Sequence, residues 1–343
     1  MEMLAPYTTL GLGGPALEFV QADTAEQLVS LVAEADHEAR PTLVLGGGSN
    51  LVVADEGFDG LVIRVATRGV KASRDRDHMF VTVEAGEDWD PLVARAVAEG
   101  WSGLECMSGI PGLVGSTPIQ NVGAYGQEIA QTVWSVRAYD RRTQQVEDLE
   151  ARRCDFAYRT SLFKRDLSRY VVLSVTYALE LSELSGPIAY QELATKLGVE
   201  PGARVPLERA REAVLELRRG KGMVLDPADP DTRSAGSFFT NPVLTDEQAA
   251  ELAARAPDHP RWDLPGGLVK VPAAWLIEQA GFPKGYARGP VRISTKHTLA
   301  LTNPDGAGTT ADLLTLAREV RDGVREKFGV TLVNEPVMVN CAL

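Results

Sequence analysis

The sequence predicts an α+β fold, and three observations predict it. Strand-like runs come in groups near 42–83 and 133–181 instead of alternating singly with helices. Apolar residues at helical spacing gather elsewhere, above all beyond residue 207. The glycine run at 46–48 joins one strand-like run to another, whereas a doubly wound sheet would pass from such a loop into a helix. At 343 residues the chain is long for one core, so two or three domains are expected.

Thr24-Ala25-Glu26-Gln27 reads as a capping box, and Leu28, Leu31, Val32 and Ala35 place a helix over about 25–37. Strands are expected at 42–45, 51–53, 61–65 and 80–83. Asp90 is expected as an N-cap with Pro91 at the first helical position and Gly100 as the stop. From Gly103 to Gly126 periodicity is lost, and strands resume at 133–139 and 170–181. A helix at about 207–218 shows Leu207, Ala210, Val214 and Leu217 on one face. The DPADPD run within 221–235 reads as a long loop near a domain boundary. Helices follow near 246–256, 273–279 and 311–328, the last with Leu313, Leu316, Val320, Val324 and Phe328 as its core stripe. Short strands at 330–333 and 337–340 close the chain.

A net charge of -12 argues against a nucleic-acid partner, which needs a basic face. A small anionic ligand stays open, because it needs only a local cluster of cations. The start, MEMLAPYTTLGLGG, has neither the cationic residues nor the apolar core of a signal peptide. The longest apolar stretch, 170–181, is too short for a bilayer, so no membrane role is expected. Cys106, Cys154 and Cys341 lie far apart and fit no disulfide or metal spacing, which points to a reducing cytoplasm. The histidines (His37, His78, His259, His297) show no ligand spacing either, so no metal is expected. GLGGPA, 11–16, matches a dinucleotide fingerprint in letters, but no strand precedes it. RRGKGMV lacks the upstream glycine of a phosphate loop, and no G-x-S-x-G elbow exists.

Two glycine loops hold the functional signal. Gly46-Gly47-Gly48-Ser49-Asn50 can turn several backbone N–H groups toward one anion, with Ser49 and Asn50 adding side-chain donors. A tight hairpin that merely needs glycine explains the same residues. The second loop, GLECMSGIPGLVGSTPIQNVGAYG, is glycine-rich yet carries Leu104, Met107, Ile110, Leu113, Val114, Ile119, Val122 and Tyr125. That composition predicts an ordered, close-approach loop rather than a linker. Two such loops suit the two ends of a large cofactor.

With CDFAYRTSLF, AGSFFTNP, AAWLIEQAG and a terminal NEPV in the same order, these loops resemble the UDP-N-acetylenolpyruvoylglucosamine reductase family, MurB, its longer (type I) subfamily. The resemblance runs from about Tyr7 to the C-terminus. It implies a non-Rossmann FAD-binding fold of the vanillyl-alcohol-oxidase/PCMH type with a C-terminal substrate domain. The expected division is 1–68 and 69–220 for the FAD-binding subdomains, 221–335 for the substrate domain and 336–343 for a final strand. The implied cofactor is noncovalent FAD, with NADPH as reductant. The implied FAD contacts are Gly46, Gly47, Gly48, Ser49, Asn50 and Leu51, with Ile110, Pro111, Gly112, Gly115, Ser116, Thr117, Ile119 and Gly123 from the second loop.

The implied reaction reduces UDP-N-acetylglucosamine enolpyruvate to UDP-N-acetylmuramate for peptidoglycan synthesis. Hydride passes from NADPH to FAD, then from flavin N5 to C3 of the enolpyruvyl group. An enol ether resists hydride, so the conjugated carboxylate must accept the developing charge and fixed cations should face it. By the resemblance Arg159 faces that carboxylate, Ser237 gives the proton to C2, and Glu335 stands beside the carboxylate with a raised pKa expected in the complex. Substrate contacts carried over are Tyr125, Tyr190, Arg218, Lys221, Asn241, Lys270 and His297, the last at a position where some members carry glutamine. The approach to Ser237 departs from the family's compact form. Asp226, Asp229 and Asp231 would repel a pyrophosphate, so they are expected to face solvent. No obligate protein partner is implied.

Overall fold

The computed structural model describes residues 1–343 and divides them into two compact units. The first comprises Met1, 16–47 and 59–220; the second comprises 2–15, 48–58 and 221–343.

In the first unit the helix Ala25–His37 stands where its spacing placed it. Thr24 accepts from the Gln27 N–H, but the Gln27 side chain accepts from Asp23 instead of closing the box on Thr24. Thr42–Leu45 runs parallel to Phe58–Val65, register Thr42↔Leu61. A second sheet is antiparallel, in the order Gln145–Glu150, Val133–Asp140, Tyr170–Leu181, His78–Glu84, Val70–Asp75. Tyr170–Leu181 is its long central strand, buried along most of its length, and its Tyr177, Val175 and Leu173 join the same core as Leu28, Val32, Ile63 and Trp89. A satellite core under the helices Gln191–Leu197 and Leu207–Gly220 holds Ile188, Leu193, Val205, Ala210 and Val214.

The second unit packs the helices Asp246–Arg255, Ala273–Gln279 and Thr310–Phe328 with short strands. All five residues of the expected stripe on the last helix are buried. Leu51–Val53 pairs in parallel with Val337–Val339, register Leu51↔Val337. That is why strand follows the first glycine loop: between Gly47 and Gly48 the chain leaves one unit for the other, and its next residues join a sheet there. The segment after GLGGPA is likewise a strand, Pro15–Ala22, so no helix N-terminus stands behind those glycines.

Three expectations are corrected. Asp90 is not the N-cap of the second helix. The helix Trp89–Ala98 starts one residue earlier, with Asp88 at the cap, because the Asp90 carboxylate is taken by Gly109 and Arg211. Residues 330–333 form no strand; the Val333 carbonyl accepts from Thr240 N–H, and only Asn334 bridges, to Phe239. Asp231 does not face solvent: it is 2% exposed and bound to Thr295 and Arg292. Asp229 is half-buried and pairs with Lys296 at 2.6 Å, while Asp226 is exposed as expected. No helix is long and apolar enough to cross a membrane.

Candidate active site

The two glycine loops lie against each other. A Cβ on Gly46 would lie 2.7 Å from Ser116 Oγ, and one on Gly47 would lie 2.8 Å from Gly112 Cα. Real Cβ atoms do not approach backbone so closely, so glycine is required for the loops to meet. Gly48 has φ +58, and a Cβ there would overlap the Tyr7 carbonyl oxygen. The N–H groups of Gly46, Gly47, Ile110 and Gly112 meet no protein acceptor. Neither loop, 46–50 or 109–126, contains a carboxylate. Open N–H donors, three of the four on glycine, in loops with no acidic residue of their own fit a dinucleotide pyrophosphate. The rest of the second loop is held by protein. Val114 and Gly115 N–H groups donate to Glu87 and Ala85 carbonyls, and the Thr117 hydroxyl bonds the Tyr177 hydroxyl at 2.9 Å.

Arg159 sits in a closed turn beside the second loop. Ala157 and Thr160 exchange both backbone hydrogen bonds, at 3.0 and 3.1 Å. Within that turn Arg159 takes φ +52, a left-handed conformation uncommon for a residue with a side chain. Its Nη2 donates to the Gly123 carbonyl at 3.0 Å. Asp155, the nearby acid that could have claimed it, pairs with Arg165. Ser161 caps the next helix, Leu162–Arg165, and its hydroxyl donates to the Ile119 carbonyl at 2.6 Å, tying the turn to the loop.

Tyr125, also left-handed at φ +49, meets Tyr190 edge to face at 5.7 Å. Tyr190 stays 48% exposed, consistent with a residue that presents itself to a ligand. Burial pushes the Tyr125 phenol up to about 12, with the Arg218 charge opposing it. Burial also lowers the Arg218 guanidinium to about 10, against the pull of Tyr125 and Asp90, so it stays charged at neutral pH. Arg218 Nη2 reaches the Gly109 carbonyl at 3.4 Å. Asp90, which the sequence offered only as a cap, accepts the Gly109 N–H at 2.6 Å and Arg211 at 2.7 and 2.9 Å. Burial alone would raise its carboxyl, but Arg211 and Gly109 outweigh that and hold it below the usual range. Glu105, fully buried, accepts from Gly103, Gly186 and Gln127 with no cation. Neither carboxylate had a periodic or motif signal that could reveal it.

In the second unit, Ser237 and Glu335 are brought together by backbone pairing. Glu335 N–H donates to the Phe238 carbonyl at 2.8 Å, and Asn334 bridges Phe239, so Ser237 lies one residue from the pairing. Phe238 N–H in turn donates to the Leu299 carbonyl at 2.7 Å, which sets the His297 loop on the other side. His297 N–H is held by Ser294 Oγ at 3.2 Å. Asn50, ending the first glycine loop, reaches the Glu335 carbonyl at 3.4 Å, and its own carbonyl accepts from Val337. Asn241 Oδ1 accepts the Ala273 N–H, capping the helix Ala273–Gln279. Lys270 Nζ lies 5.3 Å over the Trp262 ring. Lys221 is half-buried. The buried Asp231 accepts from Thr295 N–H and hydroxyl and from Arg292, fixing the strand end that leads to His297.

Residues 16–148 match the family described as FAD binding domain, and residues 227–339 match UDP-N-acetylenolpyruvoylglucosamine reductase, C-terminal domain. The UDP-N-acetylenolpyruvoylglucosamine reductase of Thermobifida fusca is 58% identical, covering 99% of this chain and 97% of the relative. That of Salinispora arenicola is 57% identical, covering 99% and 95%. Among solved structures, the same enzyme (MurB) from Thermus caldophilus superposes with a TM-score of 0.68 at 28% identity, covering 98% of this chain and 97% of that one. With open glycine loops in its first unit and Glu335 paired with Phe238, next to Ser237, in its second, the chain belongs to the UDP-N-acetylenolpyruvoylglucosamine reductase family.

Proposed function

We propose that this FAD-dependent oxidoreductase reduces UDP-N-acetylglucosamine enolpyruvate to UDP-N-acetylmuramate in the cytoplasm, drawing electrons from NADPH in two ping-pong half-reactions. FAD, which the open N–H groups of Gly46, Gly47, Ile110 and Gly112 would hold, would supply the hydride chemistry between NADPH and C3 of the enolpyruvyl group. Residues 1–68 and 69–220 are assigned to the cofactor, 221–335 to the substrate and 336–343 to a closing strand.

The chain's own residues supply charge and proton. Arg159 holds the substrate carboxylate with a planar, permanently charged fork, which stabilises charge as it moves onto that group. Ser237 donates its hydroxyl proton to C2. Serine is a weak acid, but a carbanion-like carbon is far more basic, so transfer runs downhill. Glu335 lies beside the carboxylate. Two carboxylates at close range are not both ionised unless a cation lies between them, so one is protonated or the two are bridged by Arg159. Tyr125, Tyr190, Arg218, Lys221, Asn241, Lys270 and His297 grip the nucleotide sugar. The backbone pairing of Glu335 with Phe238, next to Ser237, carries this reading, because it gathers proton donor and carboxyl group in one place. Turnover in deuterated water tests the proton step: deuterium is expected at C2, and a product with no deuterium at C2 contradicts it.

A further inference from the structure

We propose that Asn121 is a positioning residue for Arg159, tying the second glycine loop to the turn that carries the guanidinium and so setting its direction. The inference rests on the reading of Arg159 as the group that holds the substrate carboxylate.

Asn121 is buried and left-handed, with φ +49, a conformation asparagine tolerates better than most residues. Its amide is spent inside the protein. Nδ2 donates to the Ala157 carbonyl at 3.2 Å and to Glu128 Oε2 at 2.8 Å, and Oδ1 accepts the Ala130 N–H at 3.1 Å. Every bond it makes therefore serves architecture, and none is directed at a ligand. Ala157 opens the closed turn in which Arg159 lies. Gly123, two residues after Asn121, receives the Arg159 guanidinium. One short stretch of loop thus grips the arginine twice, at the base of its turn through Asn121 and at its head through the Gly123 carbonyl. With the base released, the turn loses one of the bonds that set its direction. Ser161, bonded to the Ile119 carbonyl, still holds the turn to the loop, so the loss expected is of aim rather than of fold.

Two variants separate aim from fold. Asn121→Gly keeps the left-handed backbone and drops the side chain. Asn121→Asp keeps an acceptor for Ala130 and loses both donors. Calorimetry on the holoenzyme compares UDP-N-acetylmuramate, which carries the carboxylate, with UDP-N-acetylglucosamine, which lacks it. The ratio of the two affinities isolates the carboxylate's share. The ratio is expected to fall roughly tenfold in both variants, with UDP-N-acetylglucosamine affinity unchanged, since a misaimed group loses its interaction without closing the rest of the site. In an Arg159→Ala background, Asn121→Gly should lower the ratio no further. Equal weakening of both ligands, or a further loss in that background, overturns the inference. An unchanged ratio in Arg159→Ala overturns the reading of Arg159 and the inference with it. A lowered ratio there beside an unchanged one in both Asn121 variants overturns the inference alone.

Discussion

Gly47 stands so close to Gly112 that a Cβ added to the first would lie 2.8 Å from the Cα of the second. The residues are 65 apart in sequence, by subtraction of their numbers (112 − 47), yet their loops share one surface and both leave N–H groups open there. A single bound anion can use both loops only because neither carries a side chain at this contact.

Gly47→Ala should therefore part the loops. The added methyl meets backbone that cannot step aside, at a cost of about 1–3 kcal/mol. Purified protein should lose flavin, with FAD affinity down roughly tenfold or more and the helix signal in circular dichroism unchanged. Full flavin occupancy in the variant would show that the contact does not shape the cofactor site.

The acidic loop makes a second prediction. Asp231 is buried and bonded to Thr295 and the half-buried Arg292, so Asp231→Ala leaves the two Thr295 donors unmatched, costing about 1–3 kcal/mol. Asp226 is exposed and bonded by its carboxylate only to the Ala228 N–H, so Asp226→Ala should cost less than about 1 kcal/mol. Urea unfolding of the two variants checks the contrast, and equal losses would count against it.

Acid should expose the same chemistry. Hydrogen bonding from Arg169 holds the buried Asp140 carboxyl below its usual range. Partial burial of Asp90 and burial of Asp231 by themselves raise them, yet their hydrogen bonds and cationic neighbours bring them below the usual range too. Folding thus lowers all three pKa values. Their stabilisation is complete above the unfolded carboxyl value, near 4, and is lost as pH falls through the lower folded values. The unfolding free energy should be flat near neutrality and fall steeply below about pH 4. Asp140→Asn should be less stable near neutrality and show a shallower fall, measured by urea titration across pH. A slope below pH 4 that matches the parent's would rule out Asp140 as a contributor.

Most helices and strands were legible because burial follows the sequence pattern: the stripe of Leu313 to Phe328 and the mostly apolar run 170–181, broken by Ser174, Thr176 and Glu180, need only one dimension to be read. The proposed site rests, in sequence, on its glycines and, through family resemblance, on Arg159, Ser237 and Glu335. Asp90, Asp231 and Asn121 escaped because their partners lie far along the chain or in turns without period: Arg211 for Asp90, Thr295 for Asp231, Ala157 for Asn121. An isolated Asp or Asn reads as a cap or a solvated loop residue until its partner is known. Residues 330–333 misled for the opposite reason: β-branched residues met one carbonyl contact instead of a neighbouring strand.

Ser237 offers a prediction of its own. Ser237→Ala should leave flavin reduction by NADPH within about twofold of the parent. It should slow turnover at least 100-fold, since a positioned proton donor contributes about 100-fold to 10,000-fold. Ser237→Cys, which restores a proton, should recover part of that loss. Equal slowing of both half-reactions would assign Ser237 to structure instead.

The central claim is that electrons held on this protein's flavin go to an enolpyruvyl nucleotide sugar. The holoenzyme is reduced anaerobically and mixed with UDP-N-acetylglucosamine enolpyruvate. The oxidised flavin bands should return at once with stoichiometric UDP-N-acetylmuramate. Bands that stay bleached, with FAD still bound and substrate in excess, would contradict it.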